Sequence, residues 1–130
     1  MENEYGIKST GYSPEELYTI ECIAAENGAF VVHIRGKLCE TLDDFYREIS
    51  SAMRFPYYFG RTWAAFDECI SDLEWLKFSS ILIVIDNQES VMKYDDFPYE
   101  SRQQMIKHLN MAVEYWKSQS IPISVYLNKQ

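Results

Sequence analysis

Residues 55–75 read FPYYFGRTWAAFDECISDLEW, an aromatic turn followed by an acidic helical pattern. The turn places four aromatic side chains around Pro56 and Gly60. Thr62 is a favourable N-cap, and apolar residues then recur at spacings of three and four. These apolar positions are Trp63, Phe66, Cys69, Ile70 and Leu73. The segment therefore predicts an amphipathic helix from residue 62 to about residue 73.

The polar side of this predicted helix carries acids and no bases. From residue 64 to residue 75 the chain has four carboxylates and no Lys or Arg. Helical spacing directs five residues toward solvent or a partner, namely Ala64, Asp67, Glu68, Ser71 and Asp72. A face of this kind is suited to bind a positively charged surface rather than to perform chemistry.

Helical and strand patterns alternate along the rest of the chain. Apolar residues at helical spacing predict helices over residues 42–53 and 100–117. Short runs rich in β-branched residues predict strands over residues 29–35, 80–86 and 122–127. The run at 80–86 is apolar almost throughout, which is typical of a strand buried on both faces of a parallel sheet. The sequence therefore predicts an α/β fold with a small, mainly parallel sheet flanked by helices.

The first 28 residues are more polar and are predicted to form an arm. A Ser-Pro pair at residues 13–14 suits the cap and the first position of a single helical turn. Residues 17–24 alternate in part between apolar and polar, and the Asn-Gly pair at 27–28 is typical of a hairpin turn. We therefore expect residues 17–24 to pair with residues 29–35 as a β-hairpin.

Composition limits the classes of function. The 130 residues fit one domain, and a hydrophobic content of 47% is enough to build a core. Twenty acids against twelve bases give a net charge of −8. This charge repels phosphate backbones and anionic lipids, whereas it attracts a basic protein. We therefore expect a basic protein partner, and neither nucleic acid nor a membrane.

The cysteines and the start of the chain bear on location. Cys22, Cys39 and Cys69 are odd in number, and their spacings of 17 and 30 match no zinc or redox motif. Free thiols in a reducing cytosol are the simplest account. The first residues show no secretory signal, and no apolar run approaches the roughly 20 residues of a membrane helix. A cytoplasmic location is expected.

No set of residues in the sequence indicates an enzyme. His33 is expected in the core or on a sheet face, and His108 on the solvent side of the last helix. Glu68 and Asp72 stack at i,i+4 and could offer oxygens to a metal, but such a pair is usually a solvated face. The five glycines are scattered and form no phosphate loop. We expect no catalysis, no cofactor and no bound metal.

Two interpretations are open for the aromatic turn, because Tyr and Trp are common anchors of protein interfaces. Phe59 and Trp63 are expected to close the end of the sheet as core residues. Tyr57 and Tyr58 lie beside the acidic helix and are candidates for partner contact, with core packing as the alternative.

This segment resembles the barstar family of ribonuclease inhibitors. The most specific matches to the family pattern are Pro56, Tyr58, Gly60, Trp63, Ala65 and Cys69. The order of strands and helices after residue 28 is also similar. The resemblance implies a barstar-like domain over residues 29–130 with three strands, plus an additional N-terminal strand if residues 1–28 join the sheet. Residues 1–28 form an N-terminal extension that the resemblance does not cover.

The resemblance implies inhibition by occlusion. Barstar-like proteins insert the second helix of this domain and the loop before it into the active site of a basic ribonuclease, where carboxylates replace substrate phosphates. By position, Tyr58 and Gly60 match loop contacts, Glu68 takes the place of a central aspartate, and Glu114 lies near another acidic contact. The expected partner-binding residues are Tyr57, Tyr58, Gly60, Thr62, Ala64, Asp67, Glu68, Asp72 and Glu114.

Three positions depart from the family pattern. Thr62 replaces an asparagine, Ala64 replaces an aspartate, and the longer Glu68 replaces the central aspartate. The neighbouring Asp67 supplies a charge that compensates in part. The expected function is intracellular inhibition of a basic ribonuclease or nuclease toxin, as an immunity protein. The alternative is a barstar-fold interaction module whose partner is not a nuclease.

Overall fold

A computed structural model of the protein describes residues 6–56, 59–73 and 77–130. Within these residues, four strands form one sheet and four α-helices flank it. In chain order the elements are β1 (Gly6–Thr10), α1 (Pro14–Glu26), β2 (Ala29–Arg35), α2 (Leu42–Ala52), α3 (Trp63–Ile70), β3 (Ser80–Asp86), α4 (Pro98–Ser118) and β4 (Ile123–Asn128). The strand order is β1-β4-β3-β2, and every pairing is parallel. The predicted α/β fold, with a parallel sheet and an extra N-terminal strand, is confirmed.

The helices lie on both faces of the sheet. On one face, Leu17 of α1 packs against Leu82 and Val84 of β3. On the other face, α2, α3 and α4 cover the alternate strand residues, which include Ile83 and Val125. The chain crosses from β1 to β2 in the direction opposite to its later crossings. Because crossovers are right-handed, this reversal puts α1 on the opposite face.

β3 is buried along almost its whole length. It lies between β2 and β4, and all residues from Ile81 to Ile85 are buried. Since helices cover both faces of the sheet, both sets of side chains on this strand must be apolar. The predicted strand at 80–86, buried on both faces, is therefore confirmed.

The predicted β-hairpin near the N-terminus is wrong. Residues 17–24 belong to α1, and the extra strand is β1, which pairs with β4 at the edge opposite β2. A capping box starts α1: the Glu16 N–H donates to Ser13 Oγ at 3.1 Å, and the Ser13 N–H donates to Glu16 Oε1 at 2.8 Å. Over so short a segment, helical periodicity resembles partial alternation. The apolar residues that pack on the sheet are Leu17, Ile20 and Ala24.

The other helices lie close to their predicted bounds. α2 is capped by Thr41, whose Oγ1 accepts a backbone N–H of the first turn at 3.1 Å. α4 begins at Pro98, slightly before its predicted start, because proline suits the first helical position. α3 ends at Ile70 rather than near Leu73, since the chain turns at Ser71 and still buries Leu73. Among the described residues, no helix has both the length and the apolar character to cross a membrane.

Candidate partner-binding site

α3 is a short helix fixed at its start by a side-chain cap. Thr62 is extended, with φ −133° and ψ 161°, and its Oγ1 accepts the Ala65 N–H at 3.1 Å. The predicted cap is therefore confirmed. The inner face of α3 buries Phe66, Cys69 and Ile70, which leaves its polar residues on the outer side.

We expect Thr62→Ala to lower the free energy of unfolding by about 1 kcal/mol, because an N–H of the first turn loses its acceptor. Chemical denaturation measures the change. Thr62→Ser keeps the hydroxyl and is the matched control, with stability close to that of the wild type. Equal losses in the two variants would contradict a stabilising cap.

Trp63 anchors the first turn of α3 in an aromatic cluster. Its ring centroid lies 5.2 Å from that of Tyr46 and 5.3 Å from that of Phe66. Phe59 joins from the preceding loop, with its ring 5.9 Å from Tyr46. Phe59 and Trp63 are partly buried and pack against the main core. Their prediction as core residues is therefore confirmed.

His108 does not lie on the solvent side of α4, so that prediction is wrong. It stacks on Trp63, with ring centroids 4.6 Å apart and an interplanar angle of 3°. Its Nδ1 donates to Asp67, at 2.7 Å from Oδ1 and 3.0 Å from Oδ2, and only 12% of the side chain is exposed. The reason is that α3 packs against α4 here. A signal was available in the sequence, because His108 precedes the buried Ala112 by one helical turn.

The Asp67 carboxylate is consequently not free. It was expected to face solvent or a partner, but it is bonded to His108 and 29% exposed. This pair links α3 to α4. A second link nearby is the Trp116 indole N–H, which donates to the Ile70 carbonyl at 2.7 Å. Together the two bonds set the orientation of α3.

Glu68 on α3 and Asp72, two residues beyond the end of this helix, are the open carboxylates of this surface, so the two do not stack within one helix as predicted. Both are exposed, and neither forms an ion pair with any part of the chain that the structure describes. Ala64 is exposed one turn before Glu68, and Gly60 is exposed in the preceding loop. The predicted contacts of two other residues lie outside the described residues and stay predictions, namely those of Tyr57 and Tyr58.

Other charges near this face are directed elsewhere. Arg61 Nη1 lies 3.3 Å from Asp43 Oδ1, and Asp43 also accepts a bond of 2.6 Å from Arg47. The positive charge of Arg61 is therefore engaged by α2. Glu114 is exposed, but it follows His108 by six residues, which rotates it by about 120° from the side of α4 that faces α3. Helical geometry therefore directs Glu114 away from α3, which carries Glu68.

Titratable groups beside these acids are held in their neutral forms. Burial, followed by the charges of Glu68 and Asp72, raises the pKa of the Cys69 thiol. Burial, followed by the charge of Asp67, raises the pKa of Tyr46 to about 12. Within the described ranges, no three His, Cys, Asp or Glu side chains are arranged to hold a metal ion. The Cys69 thiol and the Tyr46 hydroxyl therefore stay protonated near neutral pH.

Fold and site together define an α/β protein that presents an acidic helix. The family described as Barstar (barnase inhibitor) matches residues 29–128. The chain therefore belongs to the barstar family, whose members are inhibitors rather than enzymes. The match runs from the first residue of β2 to the last residue of β4, so β1 and α1 lie outside it. A search of curated proteins found no match to the chain.

Proposed function

We propose that the protein inhibits a basic ribonuclease or nuclease toxin by occluding its active site with α3 and the loop before it. The observation that carries the proposal is the pair of open carboxylates, Glu68 and Asp72, in a segment without Lys or Arg. Membership of a family of barnase inhibitors supports the same kind of partner. In this proposal the protein catalyses no reaction.

Charge complementarity is the physical basis of the proposed binding. A ribonuclease active site presents Lys and Arg side chains that hold RNA phosphates. Carboxylates can take the phosphate positions because they accept charge-assisted hydrogen bonds from the same donors. The net charge of −8 also steers a basic partner toward the protein. We therefore expect both encounter rate and affinity to fall as salt is added.

Residues behind the open acids prepare α3 for binding. The bond between Asp67 and His108 and the stacking of His108 on Trp63 hold α3 against α4. A helix that is fixed before binding loses less conformational entropy when the complex forms. Glu68 is long and exposed, so ordering its own side chain is a cost that the fixed helix does not remove.

Most of the remaining predicted contacts are proposed to contribute shape complementarity to the interface rather than charge. Gly60 and Ala64 are exposed and small, which lets the backbone of a partner approach closely. Tyr57 and Tyr58 are proposed as aromatic anchors. Glu114 is proposed as a peripheral charge, because α4 turns it away from α3. Peripheral charges change encounter rate and salt dependence more than affinity.

A second candidate is an interaction module whose protein partner is not a nuclease. Ala64 favours it, because this exposed position of α3 carries a methyl group where the family pattern has an aspartate. Fewer open carboxylates match fewer phosphate-binding cations. Binding that persists at high salt and depends on the aromatic loop would support this candidate.

The proposal is tested by affinity capture of ribonuclease activity from a lysate of the native host. Three immobilised proteins are compared: the wild type, Glu68→Gln/Asp72→Asn, and Glu15→Gln/Glu26→Gln. The last variant is the matched control, because it removes two exposed charges from α1 on the opposite face of the sheet. We expect the wild type and the control to retain a basic ribonuclease, and the first variant to lose it.

Quantitative binding then uses the retained ribonuclease. We expect Glu68→Gln/Asp72→Asn to weaken the Kd at least tenfold, which corresponds to about 1.4 kcal/mol. Inhibition of RNA hydrolysis by the wild type should weaken with added salt. Equal retention of the nuclease by all three proteins would exclude the acidic face as the interface. Retention of a protein without nuclease activity would favour the second candidate.

A further inference from the structure

His33 joins three elements of the fold through its imidazole ring. It lies in β2, with Nδ1 2.5 Å from Glu21 Oε2 of α1 and Nε2 2.7 Å from Asp86 Oδ2 of β3. The His33 side chain is 33% exposed, and each carboxylate is 18% exposed. This cluster is on the α1 side of the sheet, away from α3, and is independent of the proposed ribonuclease contact.

Hydrogen-bond chemistry fixes how many protons the cluster holds. An ionised carboxylate only accepts hydrogen bonds, and a neutral imidazole donates from one nitrogen alone. Both ring nitrogens of His33 face a carboxylate oxygen at bonding distance. The geometry is therefore satisfied by an imidazolium between two carboxylates. A neutral His33 would leave one nitrogen lone pair facing a carboxylate.

Asp86 is fixed to the sheet independently of His33. Its Oδ1 accepts the Gly36 N–H at 2.9 Å and the Asn87 side-chain amide at 3.1 Å. The backbones approach so closely here that a Cβ on residue 36 would lie 2.1 Å from the Asp86 carbonyl oxygen. Of the two carboxylates, Asp86 is therefore held by the sheet itself, whereas Glu21 belongs to a helix that can move away from the sheet.

The apolar attachment of α1 to the sheet rests on Leu17 and on the partly buried Ile20 and Ala24. Leu17 is its one fully buried residue, and two large apolar side chains of α1, Tyr18 and Ile23, are 72% and 53% exposed. α1 is also outside the part of the chain that matches the family. The ionic bond from Glu21 to His33 is thus a substantial part of what holds this helix in place.

We propose that protonation of His33 fastens α1 to the sheet, and that loss of this proton loosens α1 and uncovers the apolar sheet residues beneath it. The uncovered residues would include Leu82 and Val84, which pack against Leu17. The attachment of α1 to the part of the chain that matches the family would therefore depend on pH.

The carboxylates around His33 favour its protonated form. Burial lowers the pKa of His33, but the hydrogen bonds and charges of Asp86 and Glu21 raise it by more, so the net shift is upward. Arg35, two residues along β2, is engaged by Glu48 of α2 at 2.9 Å. A cavity of about 290 Å³ gives water access to the cluster, and its other polar lining residues are Tyr18, Asn87 and Gln130.

The sign of the pH dependence follows from the raised pKa. His33 contributes its full stabilisation below the ordinary histidine pKa of about 6.5, where it is charged in both the folded and the unfolded chain. The contribution is lost as the pH rises through the higher pKa of the folded state. α1 is therefore expected to be firmly attached in weak acid and to loosen as the pH rises above the ordinary histidine pKa and through the higher pKa of the folded state.

The test combines NMR titration of the histidine rings with hydrogen exchange of the α1 amides. Both are measured across about pH 5.5–8.5, which extends about one unit below and two units above the ordinary histidine pKa of about 6.5. We expect the His33 midpoint to lie above about 6.5 and to fall toward it in Glu21→Gln. Glu26→Gln, the same change at an exposed site of α1, should leave it unmoved. Protection of α1, corrected for intrinsic exchange, should fall with pH in the wild type and stay constant in His33→Gln.

Two results would overturn the proposal. The first is a wild-type His33 midpoint at or below about 6.5. The second is α1 protection with the same pH dependence in the wild type and in His33→Gln. If His33→Gln does not fold, Glu21→Gln replaces it, because that variant keeps the bond from His33 to Asp86 and removes only the attachment of α1.

Discussion

Phe66→Ala is expected to lower the free energy of unfolding by about 3–5 kcal/mol. Phe66 is 0% exposed, and its ring centroid lies 6.0 Å from that of Phe55 and 5.3 Å from that of Trp63. Truncation forfeits the transfer free energy of the ring and leaves a cavity that the neighbours fill only in part. Because α3 has eight residues and cannot be stable by itself, the same change should loosen the acidic face.

Urea denaturation followed by circular dichroism measures this loss. Phe97→Ala is the matched control, because Phe97 is 69% exposed and loses little packing. The control should change stability by less than about 0.5 kcal/mol. Similar losses in both variants would show that burial of Phe66 against the aromatic cluster does not set the stability of α3.

Asn128→Leu is expected to destabilise the protein by about 3 kcal/mol, beginning at β1. Asn128 is 0% exposed. Its Oδ1 accepts from Thr10 Oγ1 at 2.7 Å and from the Tyr12 N–H at 2.9 Å, and its Nδ2 donates to the carbonyls of Tyr12 at 3.0 Å and Gln130 at 2.8 Å. Leucine is similar in size but has no polar atom. Each group that stays buried without a partner costs about 1–3 kcal/mol.

Chemical denaturation gives the global loss for Asn128→Leu, and hydrogen exchange shows where it begins. The amides of β1 and of the first turn of α1 should lose protection first, since Asn128 bonds the segment that connects them. Asn110→Leu makes the same substitution at an exposed position of α4 and is the control. Unchanged protection of β1 in Asn128→Leu would refute the assigned attachment.

Two polar attachments hold the N-terminal elements to the rest of the protein. Asn128, the last residue of β4, bonds the connection between β1 and α1. Asp86, the last residue of β3, bonds His33, which bonds Glu21 of α1. Because the sheet is parallel, the carboxyl ends of all strands lie at the same end of the sheet, and both attachments are found there. The first has no ionisable group, so of these two attachments only the second is expected to depend on pH.

Features that depend on local sequence were predicted well. The apolar run of β3 requires a strand covered on both faces, and the Thr62 cap with its apolar spacing fixes the start and inner side of α3. Both follow from backbone periods and from hydrogen bonds within one turn. The hairpin prediction for residues 17–24 was wrong for a local reason as well. Over so few residues, an amphipathic helix and a partly alternating strand give similar sequence patterns.

The amino-acid sequence alone determined the α/β class, the acidic character of α3 and the resemblance to the barstar family. Tertiary structure decided which charges remain open. Asp67 and His108 are 41 residues apart in the chain, and His33 and Asp86 are 53 apart, so no local spacing could pair them. Packing of α3 on α4 engages Asp67 and leaves Glu68 exposed. A helical period states only which side of a helix is polar, whereas the partner of each polar group is set by the element packed against it.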